Sequence, residues 1–183
     1  VAPEMMWVKS RSDGEAWVVY HNNIDSSAPE DYGIYLNDTT KRVNSANFWN
    51  DTAPTSSVFS VGTDGDVNTS GETYIAYLFA TVADVSKVGS YTGNSSSSQN
   101  IDCGFTTAGV EFLLIKSTSS GDWYVWDRRR GVVSGNDPYL RLNNNAAETT
   151  NTDHIDTFTT GFTVNSDFNT ENEVYIFYAI ARG

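Results

Sequence analysis

The acidic side chains are the first residues in this sequence that could do chemistry. Glu4 and Glu111 each stand before a short apolar run, and Glu72 and Glu173 stand before a second pair of similar runs. Hydrolysis of a glycan needs two carboxyl groups about 5 to 10 Å apart, one of them with a raised pKa. Acids that recur at the borders of strands are more typical of turn ligands and solvated edge charges. We therefore expect that the chain is not an enzyme.

The histidines and the single cysteine form no recognisable catalytic or zinc-binding pattern. His21 and His154 stand in different sequence contexts, and the sequence contains no nucleophile elbow. Two histidines and one cysteine do not make a four-coordinate zinc site. Cys103 is the only cysteine, which excludes an internal disulfide, and we interpret it as a buried thiol. We predict no cofactor.

One loop carries oxygen ligands of the kind that calcium prefers. Asp64, Asp66 and Asn68 alternate with Gly and Val, and Asp167-Phe168-Asn169 is the counterpart in the second half of the chain. An EF-hand needs a Glu at its twelfth position, which this loop lacks. The alternative is an Asx-rich turn whose side chains cap the backbone. The three residues are kept as calcium candidates beside that alternative.

Carbohydrate binding would use exposed aromatic faces next to Asn, Asp or Arg side chains. The alternative is that the tryptophans fill the core, which we favour for Trp17 and Trp123. Exposure of Trp49 and Trp126 in a shared groove is the observation that would support a sugar site. The sequence offers two candidate groups at loop ends: Trp49 with Asn47 and Asn50, and Trp126 with Arg128, Asp137 and Tyr139.

Charge and hydropathy exclude two classes of partner. The formal net charge of −12 repels phosphate, so we expect no nucleic acid as a partner. The only basic cluster is Arg128-Arg129-Arg130, which we interpret as an exposed loop. No stretch approaches the roughly 20 apolar residues that cross a bilayer, so we expect no membrane insertion.

The elements that would position these residues occur twice in the sequence. The segments 4–10 and 111–117 begin with Glu, end with Lys-Ser and are apolar between, and without a gap Gly14–Val18 then falls on Gly121–Val125. The closing segments 67–80 and 168–181 share Asn, Thr, Glu, Tyr, Ile, Tyr and Ala in order. We therefore predict two copies of one unit, copy one over residues 1–84 and copy two over residues 85–183. Copy one lacks a counterpart of the segment 89–103, so we interpret it as truncated at its N-terminal side.

The repeated unit is typical of an antiparallel β-sandwich. Short Val, Ile, Tyr, Phe and Trp runs alternate with turns rich in Gly, Asn, Ser and Asp. Tyr74–Ala80 and Tyr175–Ala181 are apolar on both faces, as in central strands. Val58–Val61 and Gly161–Val164 are their expected hairpin partners. The fold class is all-β; whether the copies form separate sandwiches or halves of one stays open, and we favour two units packed closely together.

Several motifs of the second copy resemble a repeat family from tail-fibre-like and virion-associated proteins of marine phages and from ocean metagenome fragments. The sequence departs from the family pattern at Ala108-Gly109, where Pro is expected. Copy one also lacks the Asp-x-x-Arg-Gly element. The motifs that carry the resemblance are Ser90–Asn94, Gln99–Ile101, Gly104-Phe105, Leu114–Lys116, Trp123–Trp126, Asp127–Gly131, Tyr139-Leu140 and Asn143–Glu148.

This resemblance implies a jelly-roll-like or concanavalin-like sandwich on a virion or outside cells. It implies no established activity. The expected role is a non-catalytic structural or adhesion module of a phage-type virion or tail fibre, with cell-surface glycans or other virion proteins as partners. The alternative is a lectin-like carbohydrate-binding module, which rests on fold analogy.

Overall fold

The computed structural model describes residues 1–106 and 109–183. Ala108, where the sequence departs from the family pattern, lies outside the described residues. The chain divides into two compact units. The first comprises Val1–Ala80 and Thr118–Gly121, and the second comprises Thr81–Ser117 and Asp122–Gly183. All strand pairs described in both units are antiparallel, as the sequence predicted.

The first unit is one five-stranded sheet with short helical turns. Its strands lie in the order β4-β3-β2-β1-β5. A 3₁₀ turn, Pro29–Asp31, precedes β3. The elements are β1 (Met5–Ser10), β2 (Val18–His21), β3 (Tyr32–Tyr35), β4 (Val43–Asn44), α1 (Ala46–Trp49), α2 (Gly65–Asn68) and β5 (Tyr74–Phe79).

The core of the first unit lies between one face of this sheet and the two helices. Met6 and Val8 on β1 alternate with residues of the opposite face, because successive side chains of a strand point to opposite sides. Phe48 and Trp49 from α1 and Val67 from α2 complete this cluster. Each such side chain contributes roughly 1.5–3 kcal/mol by leaving water, so the helical turns are held mainly by burial.

The second unit contains two antiparallel sheets. The larger has the order β10-β9-β8-β13-β6, and the smaller has the order β11-β12-β7. A 3₁₀ turn, Ser166–Phe168, follows β12. The strands are β6 (Ser86–Thr92), β7 (Ser98–Asp102), β8 (Val110–Ser117), β9 (Trp123–Asp127), β10 (Leu140–Arg141), β11 (Ile155–Phe158), β12 (Gly161–Asn165) and β13 (Val174–Ala181).

One buried cluster takes side chains from both sheets of the second unit. Leu113 and Ile115 come from β8, and Phe162 and Val164 come from β12. These residues are fully buried, and Phe162 packs edge-on against Phe177 of β13 with ring centroids 5.2 Å apart. The hydrophobic core therefore joins the large sheet to the small one.

The larger sheets of the two units repeat the same strand order. The series β3-β2-β1-β5 in the first unit corresponds to β10-β9-β8-β13 in the second. An equivalent hydrogen bond joins the first and second strands of each series. Trp17 N donates to Asn37 Oδ1 at 2.9 Å, and Trp123 N donates to Asn143 Oδ1 at 2.8 Å.

This correspondence corrects one detail of the sequence alignment. The ungapped alignment set Trp17 against Tyr124, but Val8 pairs with Val18 whereas Ile115 pairs with Tyr124. Trp17 therefore corresponds to Trp123, and the second hairpin is one residue shorter. A slip of one residue exchanges the two faces of a strand. The ungapped alignment therefore matched residues on one face of β2 with residues on the opposite face of β9.

The expected hairpin partners of the closing strands are wrong. Val58–Val61 forms no strand. Gly161–Asn165 is β12, which pairs with β11 and β7 in the smaller sheet and not with β13. An apolar run shows that a segment is buried, but it does not show which strand lies beside it. In the described part of the chain, no helix has the length and apolar character to span a membrane.

Candidate functional site

The structure places Trp49 in the core of the first unit. Its side chain is 0% exposed, and its Nε1 donates to Tyr32 O at 2.9 Å. Asn47 and Asn50 are exposed, but they serve local structure: Asn47 Oδ1 accepts a hydrogen bond from Thr63 Oγ1 at 3.2 Å, and Asn50 ends α1 with a φ of 54°. The exposure of Trp49 that a sugar-stacking site requires is not met, because the ring fills the space beneath β3.

Trp126 is also a core residue. Its ring is 0% exposed and lies 5.7 Å from that of Tyr139 and 5.0 Å from that of Phe168, between centroids. The sequence thus grouped Trp126 and Tyr139 correctly as neighbours. They are buried in an aromatic cluster instead of lining a surface groove, since β9 turns this face towards the smaller sheet. The exposure of Trp126 that would support a sugar site is therefore not found.

Asp137 is the buried anchor of the loop that leads to β10. Its Oδ1 accepts from His154 N and its Oδ2 accepts from Ile155 N, both at 2.8 Å. Burial raises the pKa of this carboxyl group to about 7, against the lowering effect of the two N–H groups. Because the side chain is 0% exposed, Asp137 positions two loops and does not face a ligand in this structure.

The calcium candidates point their side chains to different backbone groups. Asp64 caps α2 by accepting from Asp66 N at 2.9 Å, and Asp66 Oδ1 accepts from Ala16 N at 3.1 Å. Asn68 Nδ2 donates to Gly62 O at 2.7 Å. The Asp64 contact is that of the Asx-rich turn that was the alternative interpretation, whereas Asp66 and Asn68 bind backbone groups outside this turn. Within residues 1–106 and 109–183, no group of three or more His, Cys, Asp or Glu side chains converges as metal ligands would.

The recurring glutamates hold equivalent turns. Glu72 Oε2 accepts from Ser10 Oγ at 2.7 Å, and Glu173 Oε1 accepts from Ser117 Oγ. The pairs tie the end of β1 to the segment before β5, and the end of β8 to the segment before β13. The two acids therefore occupy equivalent structural positions in different units.

The two histidines lie in unrelated surroundings. His21 is 0% exposed, and its Nδ1 accepts from Asn23 N at 3.1 Å in the turn after β2. His154 Nδ1 lies 3.2 Å from Asp167 Oδ2. Burial lowers the pKa of His154, although the Asp167 charge acts in the opposite direction.

The sequence reasoning named Arg128 as a sugar-binding candidate, but it grouped Arg128 with the buried Trp126 and missed the surface groove next to β9. Glu111, Arg128 and Arg129 line this groove of about 370 Å³ in the second unit. Arg128 N donates to Glu111 O at 3.0 Å. This bond places the start of the basic cluster beside Glu111 near the beginning of β8. Arg128 and Arg129 are exposed.

Arg130 differs from its two neighbours because its charge is paired. It forms an ion pair with Asp127, and its Nε lies 3.7 Å from Glu148 Oε1. The ion pairs found among the described residues include neither Arg128 nor Arg129. The groove therefore presents two guanidinium groups outside those ion pairs, beside the carboxyl group of Glu111, on a chain whose net charge is −12. The basic triplet was the available signal, and it was interpreted as a solvated loop.

Comparison with known proteins places the chain in one family. No curated protein and no solved structure matches it. The sequence model of a domain of unknown function, DUF7483, matches residues 1–183. The chain therefore belongs to the DUF7483 family.

Proposed function

We propose that this chain is a non-catalytic structural or adhesion module built from two copies of one antiparallel β-unit, of which the second forms a two-sheet sandwich. The observation that carries the proposal is the equal strand order of the larger sheets in the two units. Equivalent contacts, such as those of Ser10 with Glu72 and Ser117 with Glu173, support descent of both units from one ancestor. Modules that repeat a rigid sheet are suited to spacing and surface presentation.

The placement of the polar side chains supports a role without catalysis. The acids and amides that recur between the units hold turns and loop ends, as do Asp64, Asp137 and Asn143. The core shared by the two sheets of the second unit supports the sandwich form. The jelly-roll-like or concanavalin-like type, and a location on a phage-type virion, tail fibre or outside cells, are proposed from the motif resemblance.

An adhesion assay combined with a turnover assay tests this proposal. Beads coated with the protein are applied to bacterial cells and to purified polysaccharides, and released reducing ends are measured in parallel. We expect no release above that from beads coated with an unrelated acidic protein. Release that scales with protein concentration and is lost in Glu72→Gln or Glu173→Gln would overturn the non-catalytic role. Antibodies against residues 1–183 should label particles that band at virion density.

Glycan binding is the second candidate, and the groove of Glu111, Arg128 and Arg129 favours it. Two exposed guanidinium groups can donate bidentate hydrogen bonds to carboxylate or sulfate groups. The acidic remainder of the chain would repel such polymers elsewhere, so binding would be local to the groove. The glycans that fit this chemistry are acidic polysaccharides.

Substitution of the arginines tests the second candidate. Arg128→Ala/Arg129→Ala should weaken binding to an acidic polysaccharide at least about tenfold, which corresponds to about 1.4 kcal/mol. Arg11→Ala/Lys41→Ala removes the same charge from exposed positions of the first unit and is the matched control. Equal loss in both variants would indicate nonspecific attraction. Binding that persists in the groove variant would exclude this site.

A further inference from the structure

β5 has one edge without a neighbouring strand among the described residues. It is the last strand of the first unit's sheet and pairs only with β1. Arg11 N donates to Thr73 O at 2.8 Å in register with this ladder. Backbone groups alternate between the two sides of a strand, so those of Ile75 and Tyr77 face β1. The N–H and C=O groups of Tyr74, Ala76 and Leu78 consequently point to the open edge.

The open edge carries none of the usual protection. Residues 74–79 contain no charge, no proline and no bulge, although edge strands are commonly blocked by such features. Ile75, Tyr77 and Leu78 are 37%, 44% and 53% exposed. The edge strands β4 and β10, by contrast, have two residues each.

The edge strand β6 of the second unit is protected in a way that β5 is not. It carries Lys87, and Val88 N donates to Thr81 Oγ1 at 3.2 Å. Thr81 therefore satisfies the outward N–H group of Val88 on β6, and both residues belong to the second unit. No such contact is found for Ala76 or Leu78 among the described residues.

The second unit shows what covers the equivalent edge. β13 corresponds to β5, and β6 pairs along its whole outer side, with Tyr91 opposite Tyr175 and Gly89 opposite Phe177. Tyr175 corresponds to Tyr74, and its ring stacks on Tyr91 at 4.9 Å between centroids.

The side chains of the two closing strands also differ in exposure. Ile176 and Ala179 of β13 are 0% exposed, whereas Ile75 and Leu78 at the corresponding positions are 37% and 53% exposed. Among the described residues, the sheet of the first unit has no counterpart of β6.

A groove lies beside the same end of β5. Leu78 lines it together with Pro3, Val58 and Phe59, and its volume is about 380 Å³. The side chains at this end are mainly apolar, so an added strand would bury apolar surface as well as pair its backbone. The groove and the open backbone edge are parts of one surface, which we call the β5 edge.

We propose that the β5 edge binds, by strand addition, an extended segment of the β6 type supplied from outside residues 1–183. The recognised pattern is Ser-x-Val-Gly-x-Tyr, with the Tyr opposite Tyr74 and the Gly opposite Ala76. Main-chain hydrogen bonds to Tyr74, Ala76 and Leu78 supply affinity, and the aromatic pair fixes the register. The inference uses the equivalence of the two sheets but is independent of adhesion and glycan binding, so either can fail without the other.

Titration of the full chain with a synthetic peptide of residues 86–94 tests the proposal. Hydrogen exchange followed by NMR should show new protection of the Tyr74, Ala76 and Leu78 amides at a stoichiometry of one peptide per chain. The amides of Ile75 and Tyr77 already face β1 and should change little. The pattern of alternate protection is specific for strand addition.

N-methylated peptides provide the matched controls. In β6 the N–H groups of Gly89 and Tyr91 face the partner strand, whereas those of Val88 and Ser90 face away. Methylation at 89 and 91 should weaken binding at least about tenfold, and methylation at 88 and 90 should be tolerated. Ala76→Pro removes an outward N–H group from the chain itself. It should weaken binding of the unmodified peptide as much as methylation of the peptide at 89 and 91 does.

Three outcomes would overturn the proposal. The first is the absence of binding at millimolar peptide. The second is binding that is equally tolerant of both methylation patterns. The third is protection changes at β13, which would mean that the peptide replaces β6. If Ala76→Pro does not fold, the two peptides still decide the question. Pairing of β5 with β5 of a second copy, seen as a dimer that the peptide does not dissociate, would also contradict it.

Discussion

Buried polar groups in this protein act mainly as fixed connections between loops. Asp137 is the clearest case, since both of its carboxyl oxygens accept backbone N–H groups from the segment that begins β11. Burial raises its pKa to about 7, so the carboxyl group binds a proton at pH values where an exposed aspartate is ionised. The cost of ionising it is offset only in part by the two N–H donors.

The raised pKa of Asp137 predicts a pH-dependent stability. Between about pH 4 and pH 7 the folded state binds a proton that the unfolded state has released, so this residue's contribution to stability decreases as the pH rises through that window. Asp137→Asn removes this titration and leaves one backbone N–H without its acceptor, which costs about 1–3 kcal/mol. The loss relative to the native chain, measured by urea unfolding, should be largest near pH 4 and smaller at pH 7. A loss that does not vary with pH would contradict the assignment.

Cys103 should react slowly in the folded protein. It is 7% exposed, and burial raises the pKa of its thiol to about 12, so the reactive thiolate is scarce at pH 8. A thiol reagent should label it slowly in buffer and rapidly in denaturant. Labelling in buffer at the rate seen for the denatured chain would show that the thiol is accessible.

Gly161 is required by a close backbone approach. A Cβ at this position would lie 2.0 Å from Ile101 O, across the β12–β7 pair. Gly161→Ala should therefore destabilise the protein by about 1–3 kcal/mol, as overpacking does. Gly14→Ala is the control, since a Cβ there meets no atom within 4 Å. Thermal unfolding of both variants measures the difference, and equal melting temperatures would contradict the close approach.

At the scale of elements, equivalent hydrogen bonds stabilise the same strand junction in both units. Asn37 and Asn143 each accept from the backbone N–H of a tryptophan at the start of the second hairpin strand. Leu36 N and Leu142 N then donate to the carbonyl groups of those same tryptophans, at 3.0 and 2.9 Å. The Asn side chain thereby extends the pairing of β2 with β3, and of β9 with β10, by one further contact.

Removal of these amides should affect the two units unequally. Asn143→Ala should cost about 1–2 kcal/mol, because Trp123 is buried and its N–H loses an acceptor away from water. Asn37→Ala should cost less, because water can reach Trp17 N. Asn136→Ala is the control, since that amide makes only a 3.5 Å contact with Asn151. Chemical unfolding that ranks Asn37→Ala above Asn143→Ala would contradict this explanation.

At the scale of the whole molecule, acidity controls association. The net charge of −12 keeps copies apart at neutral pH, and the sequence pI of about 4.3 marks where that repulsion vanishes. We expect a solubility minimum near this pH, measured as light scattering across a pH series at low salt. Added salt at pH 7 should also increase light scattering, because it screens the repulsion between copies. Scattering that is flat across the series would show that charge does not limit association.

Several features of the fold follow from the sequence pattern alone. Alternating and apolar runs predicted antiparallel β-structure, because strand side chains repeat every two residues. The matching segments around Glu72 and Glu173 predicted that Tyr74–Ala80 and Tyr175–Ala181 correspond. The strands found there, β5 and β13, pair with the equivalent strands β1 and β8. The helices α1 and α2 were not predicted, since four residues are too few for a helical period.

The sequence by itself determined the all-β class, the correspondence of the two closing strands and the acidity. These features depend on local pattern and composition. Only the tertiary structure decided that Trp49 and Trp126 are buried, that β12 joins a separate sheet and that one edge of β5 has no neighbouring strand within the described residues. The physical reason is that exposure and strand neighbours depend on contacts between residues far apart in the chain. An aromatic residue next to asparagines has the same local sequence whether its ring faces a core or a sugar.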